Sequence, residues 1–302
     1  MKKFENTIFF KKLLDNPFVY HYTSIDALFS ILEEYRENGG NTLPFRAGCV
    51  YKTNDSREMA LGYDTLKSIL PQFEKSNANS IGLSGVYGSE DYEKQCKEQL
   101  FQKPIDGAVE MSTIPYTISF SCKRDFLPMW AMYGDGKKGV CLKFSLNKLI
   151  SCLPGIPSIC FVHYDGDEPN IINDYLLPSV YDIGPKRISR EISIEEKISE
   201  LSILCDCISP FVKTKDWAYE EEFRIAYFER YGLYFDDGFH FALKKKIIED
   251  HITLPIDAKS LEEIIIGPLS NYKVVEHVLR NELNECLLSN VDITRSSIMI
   301  AK

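Results

Sequence analysis

The stretch Phe18-Val19-Tyr20-His21-Tyr22-Thr23-Ser24, running on into Ile25-Asp26-Ala27-Leu28-Phe29-Ser30-Ile31-Leu32, reads as a short strand that delivers the chain into an amphipathic helix. Aromatic and β-branched residues favour the extended backbone of the first part. Ser24 can cap the helix by accepting a backbone N–H, and Asp26 in the first turn suits the helix dipole. Ile25, Leu28 and Leu32 recur at i, i+3 and i+7 with Ile31 alongside, so one helix face is apolar. The strand ends on a titratable, tyrosine-flanked histidine just ahead of a helix N-terminus, a place where a ligand can sit.

Outward from this point the pattern stays mixed. Spacing predicts a helix over 6–15, a strand over 18–21 and a helix over 24–36, broken by Asn38-Gly39-Gly40-Asn41. A short strand follows at Gly48-Cys49-Val50-Tyr51. Asn54 or Asp55 then caps a helix reaching Leu70, stopped by Pro71. Polar residues 74–90 and a helix over 90–102 read as a mobile helical insertion near 71–112. Tyr116-Thr117-Ile118-Ser119-Phe120-Ser121-Cys122 alternates cleanly as a strand. Beyond it come a helix over 127–132, strands over 139–144 and 159–164, and a helix over 190–209. Strands over 219–228 and 261–266, a helix over 271–287 and a strand over 291–300 complete the chain. No βαβ series is visible. The expectation is one α+β domain over 1–302, with a central mixed, mostly antiparallel sheet flanked by helices.

At 302 residues the chain is long enough for a sizeable core. Its net charge of −9 argues against a broad nucleic-acid face, which needs basic character. Lys244-Lys245-Lys246 is the densest basic cluster and reads as a solvated surface. Met1-Lys2-Lys3 starts like a signal peptide but has no apolar run behind it, so a cytoplasmic location is expected. Nine cysteines with no CxxC fit reduced core residues, and no metal site is expected.

Gly134-Asp135-Gly136-Lys137-Lys138-Gly139 matches GxGxxG, but a helix precedes it and a strand follows, the reverse of a dinucleotide fingerprint. It reads as a turn. Three other segments can carry chemistry. Neutral His21 can donate to a ribose hydroxyl and Thr23 can add a polar contact; the plain alternative is a core histidine. Thr117, Ser119 and Ser121 share one strand face that a flat ligand can approach, or else form an ordinary exposed face. Tyr133, at a helix edge, can stack on a ring. On period two, Trp217, Tyr219, Phe223, Ile225 and Tyr227 face inward, leaving Glu220, Glu222 and Arg224 together opposite. An arginine can hold one glutamate while the other interacts with a cation or deprotonates a nucleophile. The plain alternative is a solvent face with complementary charges.

Together these blocks resemble a bacterial family known only as domain of unknown function 2971. The matching elements are Tyr20-His21-Tyr22-Thr23-Ser24, Asn54-Asp55-Ser56-Arg57-Glu58, Ile118-Ser119-Phe120-Ser121, Met129-Trp130-Ala131-Met132-Tyr133 and Lys138–Phe144. Trp217-Ala218-Tyr219-Glu220-Glu221-Glu222-Phe223-Arg224 and Glu263–Pro268 complete the series, spread over about 18–300. More distantly, Tyr20-His21-Tyr22-Thr23 and the helix after it are similar to the first motif of ADP-ribosyltransferases of the His-Tyr-Glu type. That resemblance implies an NAD-dependent transferase, a toxin or phage-defence effector, acting on a nucleic-acid or protein acceptor. It implies that His21 and Thr23 hold NAD, that Tyr133 stacks on nicotinamide, and that Glu222, with Glu220 making Glu-x-Glu, carries the reaction. Ser119-Phe120-Ser121 is similar to the Ser-x-Ser strand of the arginine-type class, and Arg224 joins the cofactor contacts. Two other functions compete: a non-catalytic nucleotide or partner sensor, and a metal-dependent nucleic-acid-processing enzyme using Glu220 and Glu222.

Overall fold

A computed structural model describes residues 8–50, 59–62, 64, 65, 68, 115–154, 157–166, 208–228, 240–244 and 247–300. The insertion expected near 71–112, and most of the helices expected over 54–70 and 190–209, lie outside the described residues. Within them the chain is α+β. Its helices are α1 (Ile8–Asp15), α2 (Ile25–Glu37), α3 (Leu127–Met132), α4 (Leu146–Ser151) and α5 (Tyr272–Glu285). Its main strands are β1 (Phe18–Thr23), β2 (Thr42–Cys49), β3 (Pro115–Ser121), β4 (Val140–Ser145), β5 (Ser158–Phe161), β8 (Glu222–Phe228), β9 (His240–Lys244), β10 (Ile247–Asp257), β11 (Leu261–Ile266) and β12 (Asp292–Arg295). A separate short parallel pair joins β6 (His163–Tyr164) to β7 (Val212–Lys213). No helix among the described residues is long and apolar enough to cross a membrane.

The ten main strands form one sheet in the order β12-β11-β4-β1-β3-β2-β10-β9, with β8 alongside β3 and β5 alongside β8. Only β11–β12 is parallel, so the sheet is mixed and mostly antiparallel. β1 runs past the histidine to Thr23, and Ser24 caps α2 by accepting from Ala27 N at 3.0 Å. The pattern reading gave β2 too short a span and missed β9 and β10. Pro44 of β2 and Pro255 of β10 face each other in register. An antiparallel ladder accommodates prolines at a pair that exchanges no hydrogen bonds.

Period-two alternation divides the core between the two sheet faces. Val19, Leu142, Phe144, Ile264 and Ile266 pack toward Leu28 and Leu32 of α2, Leu146 of α4 and Leu279 of α5. Tyr20, Tyr22, Cys141 and Ile265 face the other way, onto Met129 and Trp130 of α3. Gly139, at the end of the glycine-rich turn, lies where a Cβ would stand 2.1 Å from the Thr23 carbonyl oxygen, so no side chain fits there.

The feature that positions the site is a fork in the sheet. β8 pairs with every residue of β3 from Pro115 to Ser121 and so fills one whole edge. Both other partners of β3 must use the second edge. β1 meets it at Tyr20↔Ser121, and β2 meets it at Gly48↔Thr117 and Cys49↔Tyr116. Continued in register, β1 and β2 would collide over Ile118–Phe120. Instead β1 leaves to pair with β4 and β2 leaves to pair with β10. The edge of β3 between Thr117 and Ser121 is left without a strand partner.

Behind the fork, Asp125 ties α3 to the C-terminal segment. Its backbone is left-handed, at φ 50°, a conformation aspartate tolerates better than most residues. Its carboxylate accepts from Trp130 Nε1 (2.8 Å), Ser296 Oγ (2.6 Å), Ser297 N (2.6 Å) and Ser297 Oγ (2.7 Å). Burial works against the charge, but these donors outweigh it and hold the carboxyl below its usual range. A depressed folded-state pKa contributes stability above the unfolded value of about 3.9 and loses it as pH falls through the folded one. Asp125→Asn keeps the backbone preference and removes the charge. It is expected to cost about 1.5–3 kcal/mol at pH 7, the worth of a hydrogen bond to a charged group. In urea unfolding the deficit should shrink at pH 3; a deficit independent of pH would refute the charge argument.

Candidate functional site

A cavity of about 260 Å³ opens at the fork. His21 of β1 and Arg46 of β2 come from its two prongs. Thr117, Ser119 and Ser121 come from β3, Tyr133 from the end of α3, Lys213 from β7, Trp217 and Glu220 from the 3₁₀ segment Lys215–Glu220, and Glu222 and Arg224 from β8.

His21 Nδ1 lies 3.0 Å from the carbonyl oxygen of Ser119, on the unpaired edge of β3. A carbonyl can only accept, so Nδ1 carries the proton and the neutral ring keeps an acceptor lone pair on Nε2. Burial holds the imidazole below its ordinary pKa, against the pull of the Ser119 bond. The ring stands edge-on to Phe45 of β2 (5.3 Å between centroids) and to Phe120 of β3 (5.7 Å). The donor role expected for His21 toward a ribose hydroxyl is therefore corrected: Nδ1–H is spent on the protein, and Nε2 accepts.

The acidic strand is also corrected. Glu220 and Glu222 do not share a strand face, because β8 begins at Glu222 and Glu220 ends a 3₁₀ segment. Glu221 between them is left-handed at φ 41° and turns the chain. The two carboxylates converge nonetheless, on Lys213. Lys213 Nζ donates to Glu220 Oε2 and to Glu222 Oε2, each at 2.8 Å. Arg224 Nε donates to Glu222 Oε1 at 2.7 Å, and Tyr133 Oη donates to Glu220 Oε1 at 2.6 Å. A second Arg224 nitrogen donates to the Pro210 carbonyl. The solvent-face reading fails here: Glu220 is 2% exposed, Glu222 3%, Arg224 1% and Lys213 6%. Two cations and two anions balance in the buried group.

Burial opposes the Lys213 charge, but Glu222 and Glu220 outweigh it and hold the ammonium above the usual lysine range. Burial pushes the Glu222 carboxyl up, with Lys213 pulling it back. The Trp217 ring centroid lies 5.4 Å from Lys213 Nζ, a cation–π arrangement.

Of the residues singled out from sequence, His21, Thr117, Ser119, Ser121, Tyr133, Glu220, Glu222 and Arg224 line this one cavity. Thr23 does not. It ends β1 opposite Val140, with its carbonyl against Gly139. The hydroxyl face of β3 is no plain solvent face: Ser119 is exposed, while Thr117 and Ser121 are buried. Ser121 Oγ donates to the Glu220 carbonyl at 2.5 Å. Tyr133 is a hydrogen-bond donor to Glu220 before it is a stacking surface. Lys213, Arg46 and Trp217 were missed as site residues. For Lys213 the only signal is one charge directly after the apolar Phe211-Val212 pair, four residues before a tryptophan. Among the described residues no group of three or more His, Cys, Asp or Glu is placed to hold a metal ion.

Residues 129–225 match a family model described as "Protein of unknown function (DUF2971)". The matched span supplies Tyr133, Lys213, Trp217, Glu220, Glu222 and Arg224 to the cavity. His21, Arg46 and the β3 hydroxyls lie outside the matched span. No curated protein and no solved structure matches the chain, and none of the comparisons supports the ADP-ribosyltransferase resemblance.

Removing one partner of a buried ion pair leaves an uncompensated charge, at about 3–5 kcal/mol. Lys213→Met is expected to destabilise the protein by that order at pH 7. Without the ammonium the folded-state pKa of Glu222, already raised by burial, rises further. A raised value contributes stability at low pH that is lost as pH rises, so the deficit should narrow from pH 7 toward pH 5 in chemical denaturation. A variant as stable as the parent would show that the cluster is not held by Lys213.

Proposed function

We propose that the fork cavity binds the nicotinamide-riboside half of NAD and that the protein transfers ADP-ribose from NAD to a nucleic-acid or protein acceptor. The observation that carries this reading is that His21 and Glu222 line one cavity, linked through β3. His21 bonds the Ser119 carbonyl, and Ser121, two residues on, is in register with Glu222. The volume is consistent with it. At about 260 Å³ the cavity falls just below the roughly 300–1,000 Å³ of pockets for drug-sized ligands. It suits one nucleoside-sized half of a dinucleotide, with the rest outside.

In this reading His21 Nε2 accepts from a ribose hydroxyl. The bond between ribose C1′ and nicotinamide breaks, and the neutral base leaves with the bonding electrons. The positive charge left on the ribose faces Glu222, whose carboxylate stabilises it. The acceptor's nucleophilic atom forms the new bond to C1′ and its proton passes to the carboxylate. Burial favours that step, since it raises the proton affinity of Glu222. Both Glu222 oxygens already accept one bond each, and a carboxylate has about four acceptor sites, so each retains a lone pair.

A second reading, a nucleotide-binding sensor without turnover, is favoured by the same engagement. All four oxygens of Glu220 and Glu222 are held by Lys213, Arg224 or Tyr133, which suits a rigid binding floor. One experiment separates the two. On the transferase reading, mass spectrometry finds nicotinamide released from NAD, and Glu222→Gln lowers the rate about 100-fold or more. NAD at 100 times its dissociation constant should still stabilise the parent protein by about 2.7 kcal/mol. Stabilisation without product selects the sensor. An undiminished rate in Glu222→Gln overturns the assignment of Glu222.

A further inference from the structure

The charges lining the cavity do not cancel. Lys213 and Arg224 are consumed by Glu220 and Glu222, and these four buried groups sum to zero. His21 is held neutral by its surroundings. Arg46 remains. It lies on β2, its side chain is exposed, it lines the cavity, and among the described residues it has no ion-pair partner. The chain as a whole carries −9, so an uncompensated cation at the mouth of its cavity runs against the general surface charge.

The floor beside Arg46 is open. Alternation along β2 puts Arg46 and Gly48 on the same exposed side. A Cβ placed on Gly48 would meet nothing within 4 Å. Gly48 pairs with Thr117, which itself lines the cavity, so the open strip runs from the cavity wall along β2 past Arg46. The inner part of the site is charge-balanced and aromatic; the outer part has one planar cation and room beside it. A guanidinium presents a fork of donors matched to phosphate oxygens.

We infer that Arg46 binds a phosphate group of the ligand, so that the site takes a phosphorylated nucleoside rather than a free one. This rests on the nucleotide reading above and adds the orientation: the base and ribose lie inward, toward His21, Tyr133 and Glu222. The phosphate of the same molecule lies outward, along β2.

The test compares NAD with nicotinamide riboside by titration calorimetry at low salt, on the parent protein, Arg46→Gln and Arg46→Lys. The parent is expected to bind NAD about tenfold to a hundredfold more tightly than the riboside, the worth of one charge-assisted hydrogen bond. Arg46→Gln should lose that preference while binding the riboside unchanged, Arg46→Lys should keep part of it, and neither variant should shift the melting temperature. Equal affinity of the parent for both probes overturns the inference, as does an Arg46→Gln variant that still prefers NAD; NAD turnover then stands untouched. A loss of riboside binding in Arg46→Gln also overturns it, because Arg46 would then shape the cavity and not read phosphate. If a single-stranded oligonucleotide needs Arg46 and NAD does not, the phosphate belongs to an acceptor and the inference fails in that form. If the parent binds neither small probe, the nucleotide reading itself fails, and this inference with it.

Discussion

The hydrogen bond from His21 Nδ1 to the Ser119 carbonyl stands where β1 and β2 each fail to supply a ladder bond. The side chain of the departing strand supplies the donor that neither strand gives this carbonyl. The same bond fixes the imidazole tautomer and sets the ring against Phe45 across the fork. One interaction therefore does two things: it ties β1 to β3 at the fork, and it decides which ring nitrogen is left to accept. His21 is bonded into the fold and lines the cavity at once, so the two readings that the sequence left open do not exclude each other.

The buried quartet of Lys213, Glu220, Glu222 and Arg224 is costly as a stabilising device. Ion pairs taken out of water rarely return more than their desolvation. Its value is geometric. Tyr133, Ser121 and Pro210 add hydrogen bonds at three points around it, so each charged group has a fixed direction. Fixed dipoles in a dry setting are what an electrostatic site needs, since they require no reorganisation when charge develops nearby. The left-handed Glu221 belongs to the same economy: it strains the chain locally and brings two carboxylates onto one lysine from different secondary structures.

Sequence periodicity resolved those parts of the fold where side chains follow one local rule. α3 and β11 fall over the ranges expected from the sequence, and Ser24 caps α2 as its position implied. The pairing of Pro44 with Pro255 was opaque, because a proline reads as a breaker until its partner strand is known. The site was legible as a set of residues more than as an arrangement. His21, Tyr133 and Glu222 could be named, but period two applied through Glu220 put the acidic residues on one strand face, and one left-handed residue undoes that count. Lys213 was invisible for a related reason: a lone lysine beside apolar residues looks like a strand end. Only the fold shows that two glutamates close over it.

The cavity joins segments far apart along the chain. Ser119 lies 98 residues beyond His21, Glu220 lies 99 beyond Ser121, and 87 separate Tyr133 from Glu220. Closing a loop of that length costs roughly 4 kcal/mol of chain entropy before any contact repays it. The order of synthesis adds to this, since chains emerge N-terminus first. A nascent chain holds His21 long before it holds Ser119, and the β3 hydroxyls long before the strand that packs against them. The local units, α2 on β1 and α3 on its turn, can form early. The binding surface cannot: it belongs only to the chain that has been made at least through β8 and has paired it with β3. Whatever the cavity takes, a partly made or partly unfolded chain does not take it.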